Sequence, residues 1–231
     1  MSHLSVKKPL SKSAKDRLNK VSGIAIANVR YRWAIDVFER YRRKFELGKG
    51  LDYRLGLLYD HLAMQSKGKA KEHYLREARA LYENILKSDP TFFHALYGIG
   101  RIYSIRGNYR KALDFQKKAY RQMMKLPKSE HGALGIGNIY RILGDLKNAE
   151  RWFLKEYRDT PKDDFGTPHN LFRFYEQIGE TKKALRWALV TEKLLETEYK
   201  KDVYKGLNMK QSGWVKDIKK DIEKIKNKRH G

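Results

Sequence analysis

His94–Ala112, HALYGIGRIYSIRGNYRKA, set over His131–Ala149, HGALGIGNIYRILGDLKNA, agrees at nine of nineteen positions at an offset of 37. A third copy continues the series. Tyr103, Gly107 and Ala112 become Tyr140, Gly144 and Ala149, then Tyr175, Gly179 and Ala184, in steps of 37 and 35. Self-similarity at such a period marks a stacked array, in which each unit buries an apolar face against its neighbours.

The unit reads as two helices. Leu96, Ile99, Gly100 and Tyr103 recur at i, i+3, i+4 and i+7, one buried stripe of a first helix. Gly100 and Gly137 remove bulk where the partner helix comes close, against a helix-propensity cost of about 1 kcal/mol. Gly107, Gly144 and Gly179 end that helix, because glycine accepts the left-handed conformation of a C-cap. A second helix is expected from Tyr109, Leu146 and Thr181, with Ala112, Ala149 and Ala184 facing the first. Pro90 and Pro161 close two of the units.

Small, aromatic and proline positions in this order resemble the tetratricopeptide repeat, a helix–turn–helix of 34 residues. The likeness covers 93–198. It departs at the first-helix Trp of the family, which is Leu96 and Ala133 here, and at Phe172, which stands where Gly100 and Gly137 are small. The resemblance implies an array whose first helices line a concave face and whose partners bind there as extended peptides. Upstream, Leu55, Gly56 and Tyr59 read as another first helix, and Ala78, Tyr82 and Pro90 as its second. The spacing in that copy is about ten residues too long for the class, which predicts an extended loop around Gln65–Lys71. Val21 and Ser22, followed by Ala34, Phe38 and Tyr41, give a first copy without the turn glycine. A last amphipathic helix starts at Ser212, with Trp214, Ile218, Ile222 and Ile225 along one face, as a terminal cap requires.

The fold expected is therefore all-α: an α-solenoid of about five helix–turn–helix repeats with a C-terminal capping helix. Its copies lie near 15–48, 49–92, 93–129, 130–164 and 165–198. A basic extension, 1–14, precedes them, and a linker with the basic capping helix, 199–231, follows. The 231 residues hold no cysteine, which excludes a disulfide scaffold and thiolate chemistry. No apolar run is long enough for a signal peptide or a membrane span, so a cytoplasmic location is expected.

Charge is the unusual quantity. Lys and Arg number 51 against 27 Asp and Glu, a net +24. The excess is uneven: residues 1–50 hold thirteen cations and four acids, 91–126 eight and one, and 200–231 eleven and four. Such an excess draws acidic proteins, nucleic acid or anionic lipid, or simply keeps a surface solvated.

Motifs of catalysis are missing. There is no HExxH, no Walker A loop and no serine elbow. The Gly-x-Gly pairs at 98/100 and 135/137 lie inside helices and recur with the repeat, which argues against a phosphate cradle. His94 and His131 fall on separate helices, so convergent metal ligation is not expected. No enzyme activity and no cofactor are expected.

A binding groove is the better candidate. The stripe opposite the buried one carries His94, Tyr97 and Arg101, then His131, Asn138 and Arg141, then His169, Asn170, Arg173 and Gln177. Arginine forks bind carboxylates bidentately, so an acidic peptide or a free carboxyl terminus of a protein partner is the expected ligand. Asn138 and Asn170 resemble part of the family's two-carboxylate clamp, but Tyr53 and Leu57 stand where it needs Lys and Asn. The alternative partner is RNA or a ribonucleoprotein, held by two basic patches: Arg40, Arg42, Arg43 and Lys44, and Lys216, Lys219, Lys220 and Lys224. Trp33 and Phe38, on the helix that runs into the first patch, fall at core spacing. The reading that results is a non-catalytic adaptor or scaffold.

Overall fold

The computed structural model describes residues 7–126, 132–161, 164–200 and 213–227. Two compact units divide the chain, Met1–Pro127 and Lys128–Gly231.

The first unit holds three helical hairpins: α1 (Lys12–Asn28) with α2 (Tyr31–Lys44), α3 (Lys49–Gln65) with α4 (Gly68–Ser88), and α5 (Phe93–Ile105) with α6 (Tyr109–Met123). The first helices form one layer, α1 against α3 and α3 against α5. Leu18, Phe38, Leu55, Leu58, Leu75, Ala78, Tyr82 and Ile99 meet in the core between the layers. A two-residue parallel pairing joins β1 (Lys8–Pro9) to β2 (Phe45–Glu46). The Lys7 ammonium donates to the Arg42 carbonyl beside it at 2.7 Å.

The second unit holds α7 (Ala133–Ile142) with α8 (Leu146–Asp159), α9 (Gly166–Gln177) with α10 (Thr181–Lys200), and α11 (Gly213–Asn227). Its core joins Ala149, Phe153, Phe172, Phe174, Ala184 and Trp187 to Ile222 and Ile225 of α11. The last helix thus covers the apolar side of the α9–α10 hairpin, as a cap would. The expected apolar partners Trp214 and Ile218 have side chains outside the described residues.

The turns explain the hairpins. Gly107, Gly144 and Gly179 take φ of 75°, 78° and 79°. The amides after them, on Asn108, Asp145 and Glu180, donate back to the carbonyls of Tyr103, Tyr140 and Tyr175 at 2.9–3.0 Å, closing each first helix. Asn108 and Asp145 then cap the helix that follows, accepting from the amides of Lys111 and Asn148 at 3.2 and 3.1 Å. The first hairpin makes the same reversal without glycine. Val29 takes φ 58° and ψ 30°, and the Arg30 amide donates to the Ala25 carbonyl at 2.9 Å. A β-branched residue is strained there.

Two expectations change. The extra length around Gln65–Lys71 is helix rather than loop. α3 and α4 have 17 and 21 residues against 13 and 15 in α5 and α6, with only Ser66 and Lys67 between them. Gly68, at φ 53°, takes the reversal, so the good helix formers after it can join α4. Trp33, read at core spacing, is 44% exposed. The buried stripe of α2 is Tyr31, Ala34, Ile35 and Phe38, and residue 33 falls off it.

Close approaches fall where the glycines predict them. A Cβ on Gly100 would press on Gln116, and one on Gly137 on Phe153. The Tyr82 ring fills a slot between Gly56 of α3 and Gly98 of α5, where a Cβ on either would lie inside 3.0 Å of the ring. Gly98 and Gly100 are thus packing contacts inside a helix.

Candidate functional site

In the first unit, α3 and α5 set an aromatic surface beside the Arg101 guanidinium. Tyr53 stacks on His94 at 4.8 Å, and Phe92 meets Tyr53 edge-on at 6.2 Å. Tyr31 stacks on His61 at 5.0 Å, nearly parallel. Tyr97, expected in the groove, is half-buried, and its carbonyl accepts from the Gln116 amide at 3.4 Å. Arg101 is half-buried one turn further along α5, with no hydrogen bond or ion pair among the described residues.

Behind it lies a carboxylate that the sequence did not announce as a site. Asp60 is fully buried, and its Oδ2 accepts from the Tyr82 hydroxyl at 3.2 Å. Its Oδ1 has no partner among the described residues. Burial pushes its carboxyl up to about 6, while the Arg101 charge and the Tyr82 hydrogen bond oppose that rise. The same guanidinium acts on its neighbours. Burial first, then Arg101, lowers the His61 imidazole. Burial raises the Tyr53 phenol, and Arg101 works against it. The only sequence signal for Asp60 was a lone carboxylate inside the apolar run Leu55–Ala63.

The second unit treats its arginines differently. Arg141 of α7 donates to Gln177 Oε1 of α9 at 2.9 Å. Arg173 of α9 donates to Asp221 of α11 at 2.8 Å and to Glu176 at 3.1 Å. His169 Nε2 is buried without a partner among the described residues, and burial lowers its imidazole, helped by Arg173 and opposed by Asp221. Asn138 and Asn170 are half-buried on the same two first helices. His131 lies outside the described residues.

The basic patches are surface features. Arg43 and Lys44 are exposed at the end of α2. Arg40 donates to the Asp36 carbonyl at 3.3 Å, and Arg42 pairs with Glu39 at 2.9 Å. Lys219, Lys220 and Lys224 are exposed on α11, and the Lys216 side chain lies outside the described residues. Among the described residues, no helix is long and apolar enough to cross a membrane.

Residues 71–127 match the family model of the tetratricopeptide repeat. Among solved structures, the chain is similar to TTC0263, a thermophilic TPR protein in Thermus thermophilus. That match has 17% identity and a TM-score of 0.67, over 91% of this chain and 98% of that one. It is also similar to pilF of Pseudomonas aeruginosa, at 13% identity and a TM-score of 0.59, over 78% and 76% of the two chains. The structure of MamA matches at 14% identity and a TM-score of 0.54, over 78% and 96%. No curated protein matches the sequence. Paired helices reversed at left-handed glycines, the family match over residues 71–127 and these likenesses lead to one conclusion: the chain has the helical-hairpin fold of tetratricopeptide repeat proteins.

Proposed function

We propose that this protein is a non-catalytic adaptor that takes an acidic peptide segment, or a free carboxyl terminus, of a protein partner on its layer of first helices. The observation that carries the reading is Arg101: a half-buried guanidinium near enough to Tyr53 and His61 to act on both through space, with its hydrogen-bonding capacity unspent among the described residues. Five N–H donors held in a rigid fork fit a carboxylate, and stacked rings beside them accept the apolar part of a peptide. The second unit supports the same chemistry. Its Arg173 already holds two carboxylates, Asp221 and Glu176. Asn138, Asn170 and Gln177 offer amides suited to a peptide backbone, and Tyr97, His94 and His169 add polar edges.

The test titrates a short fluorescent Glu-rich peptide with a free carboxyl terminus, against an amidated form with Gln for Glu. The acidic form should bind more tightly. Arg101→Ala should weaken it by about 1.5–3 kcal/mol, the worth of a hydrogen bond to a charged group. Arg141→Ala and Arg173→Ala should cost less, since their guanidinium groups already have protein partners. A triple variant that binds the acidic peptide as well as the parent does would refute the proposal.

A further inference from the structure

The outer face of α6 carries a row of cations that no carboxylate among the described residues neutralises. Ala112, Gln116, Ala119, Tyr120 and Met123 are the buried face of the helix. Arg110, Lys111, Lys118, Arg121 and, just past the helix, Lys125 are exposed, with Asp114 the single acid among them. None of the five forms an ion pair among the described residues. Lys111 sits 5.5 Å over the Tyr103 ring and Lys118 5.4 Å over Phe115, so rings rather than carboxylates support these two ammonium groups. The row from residue 110 to residue 125 is about 22 Å long at helical rise.

The repeat itself does not require this charge. α8 is the second helix of the next copy, and it sets Lys147, Arg151, Lys155 and Arg158 beside Glu150 and Asp159, its third acid, Glu156, being buried. There Lys155 pairs with Asp159 at 3.4 Å, and Glu150 with Lys183 at 3.2 Å. α4, packed beside α5 in the same unit, also mixes its signs: Arg79 pairs with Glu83 at 2.7 Å, and Glu72 with Arg106 at 2.8 Å. Within the first unit the unbroken row thus runs along α6, while α4 carries paired charges of both signs. A plane of lipid headgroups would meet the α4 carboxylates as well. A linear polyanion can follow the row alone.

We propose that this face of α6 binds the phosphodiester backbone of single-stranded nucleic acid. Its length suits the about four nucleotides of the smallest single-strand sites. Tyr103 and Phe115 lie half-buried beneath their lysines, so bases find no open ring to stack on. Recognition then rests on phosphates, is indifferent to sequence, and weakens steeply with salt. The surface is separate from Arg101 and stands whether or not that site takes a peptide.

The test is fluorescence anisotropy of the full chain with labelled oligouridylate and oligoadenylate of a dozen nucleotides, in about 50 and about 200 mM salt. Both strands should bind alike. Replacing Arg110, Lys118, Arg121 and Lys125 with Gln should weaken binding at least about tenfold in the lower salt, and should flatten the slope of log affinity against log salt by about 3, at about 0.7 per phosphate. The pair Arg110→Glu and Arg121→Glu makes the same change in net charge with two substitutions, and should give the same loss. The control replaces Lys147, Arg151, Arg158 and Lys182, all exposed, with Gln. It should leave affinity nearly unchanged. Equal losses from both sets would make binding a property of net charge and overturn the proposal. So would a parent chain that ignores both strands, or one whose α6 row is needed for anionic phosphatidylserine vesicles but not for the oligonucleotides.

Discussion

Replacing Asp60 with Asn tests whether its carboxylate is held in the core at a cost. The side chain is fully buried, one oxygen accepts from Tyr82, and Arg101 acts on it through space. In the unfolded chain the carboxyl ionises near 3.8, and in the fold near 6. Between those values the folded state binds more protons than the unfolded one, so stability from this group falls as pH rises. The contribution is complete below pH 3.8 and lost through pH 6. A gap of about two units at 1.36 kcal/mol each is about 3 kcal/mol. Asparagine keeps an acceptor for the Tyr82 hydroxyl and never ionises. Asp60→Asn should therefore gain about 3 kcal/mol on the parent between about pH 3.5 and about pH 7.5. Urea unfolding followed by circular dichroism, on both proteins at both pH values, measures the difference and cancels titrations elsewhere. An advantage that stays constant with pH, or shrinks as pH rises, would mean that Arg101 and Tyr82 fully satisfy the ion, and the reasoning would fail.

Two other changes probe the turns and caps. Val29→Gly should relieve the left-handed strain of the first hairpin and stabilise the protein by about 1 kcal/mol in a denaturant melt, since Val29 is 56% exposed and gives up little burial; a lower midpoint would place the strain elsewhere. Glu156 is buried, and its Oε2 accepts from the amides of Gly132 and Ala133 at 3.2 and 2.6 Å, capping α7 from α8. Glu156→Ala should cost about 2–3 kcal/mol and speed amide exchange first at residues 132–136, whereas uniform exchange along α7 would deny the cap.

The architecture was legible because its punctuation is local. A glycine at φ near 75–79° reverses the chain whatever packs around it, so Gly107, Gly144 and Gly179 located α6, α8 and α10 to the residue. The buried stripes followed from helical period, and Leu96 and Ile99 are within 6% of full burial. Local reading failed where two answers satisfy the same residues. The lysine-rich stretch after Gln65 is polar enough for a loop and a good enough helix former to extend α4. Trp33 is an aromatic next to a buried stripe, and one residue of phase decides its side. The candidate site was less legible than the fold, because its chemistry is set by partners distant in sequence. Asp60 meets Tyr82 across 22 residues and Arg173 meets Asp221 across 48. Neither spacing belongs to the repeat, so the helical stripe that revealed Arg101, Arg141 and Arg173 could not say which of them has no ion pair among the described residues.

The Tyr82 slot bears on how this array could be cut and rejoined. In α7–α8 the tight contact is internal to the hairpin, Gly137 on Phe153, so that hairpin carries both halves of its own joint. Tyr82 instead reaches from α4 into Gly98, which belongs to the following hairpin, while also resting on Gly56 of its own. A chimera joined between α4 and α5 would inherit the ring without its second seat, and a bulkier residue at the position of Gly98 would be expelled by it. The junction at 89–92 is therefore a poor seam for exchanging modules, although its proline and short loop make it look like the natural one. Repeat proteins are often treated as beads of equal standing; here two successive beads are keyed together by a single phenol, and they would have to be transplanted as a pair.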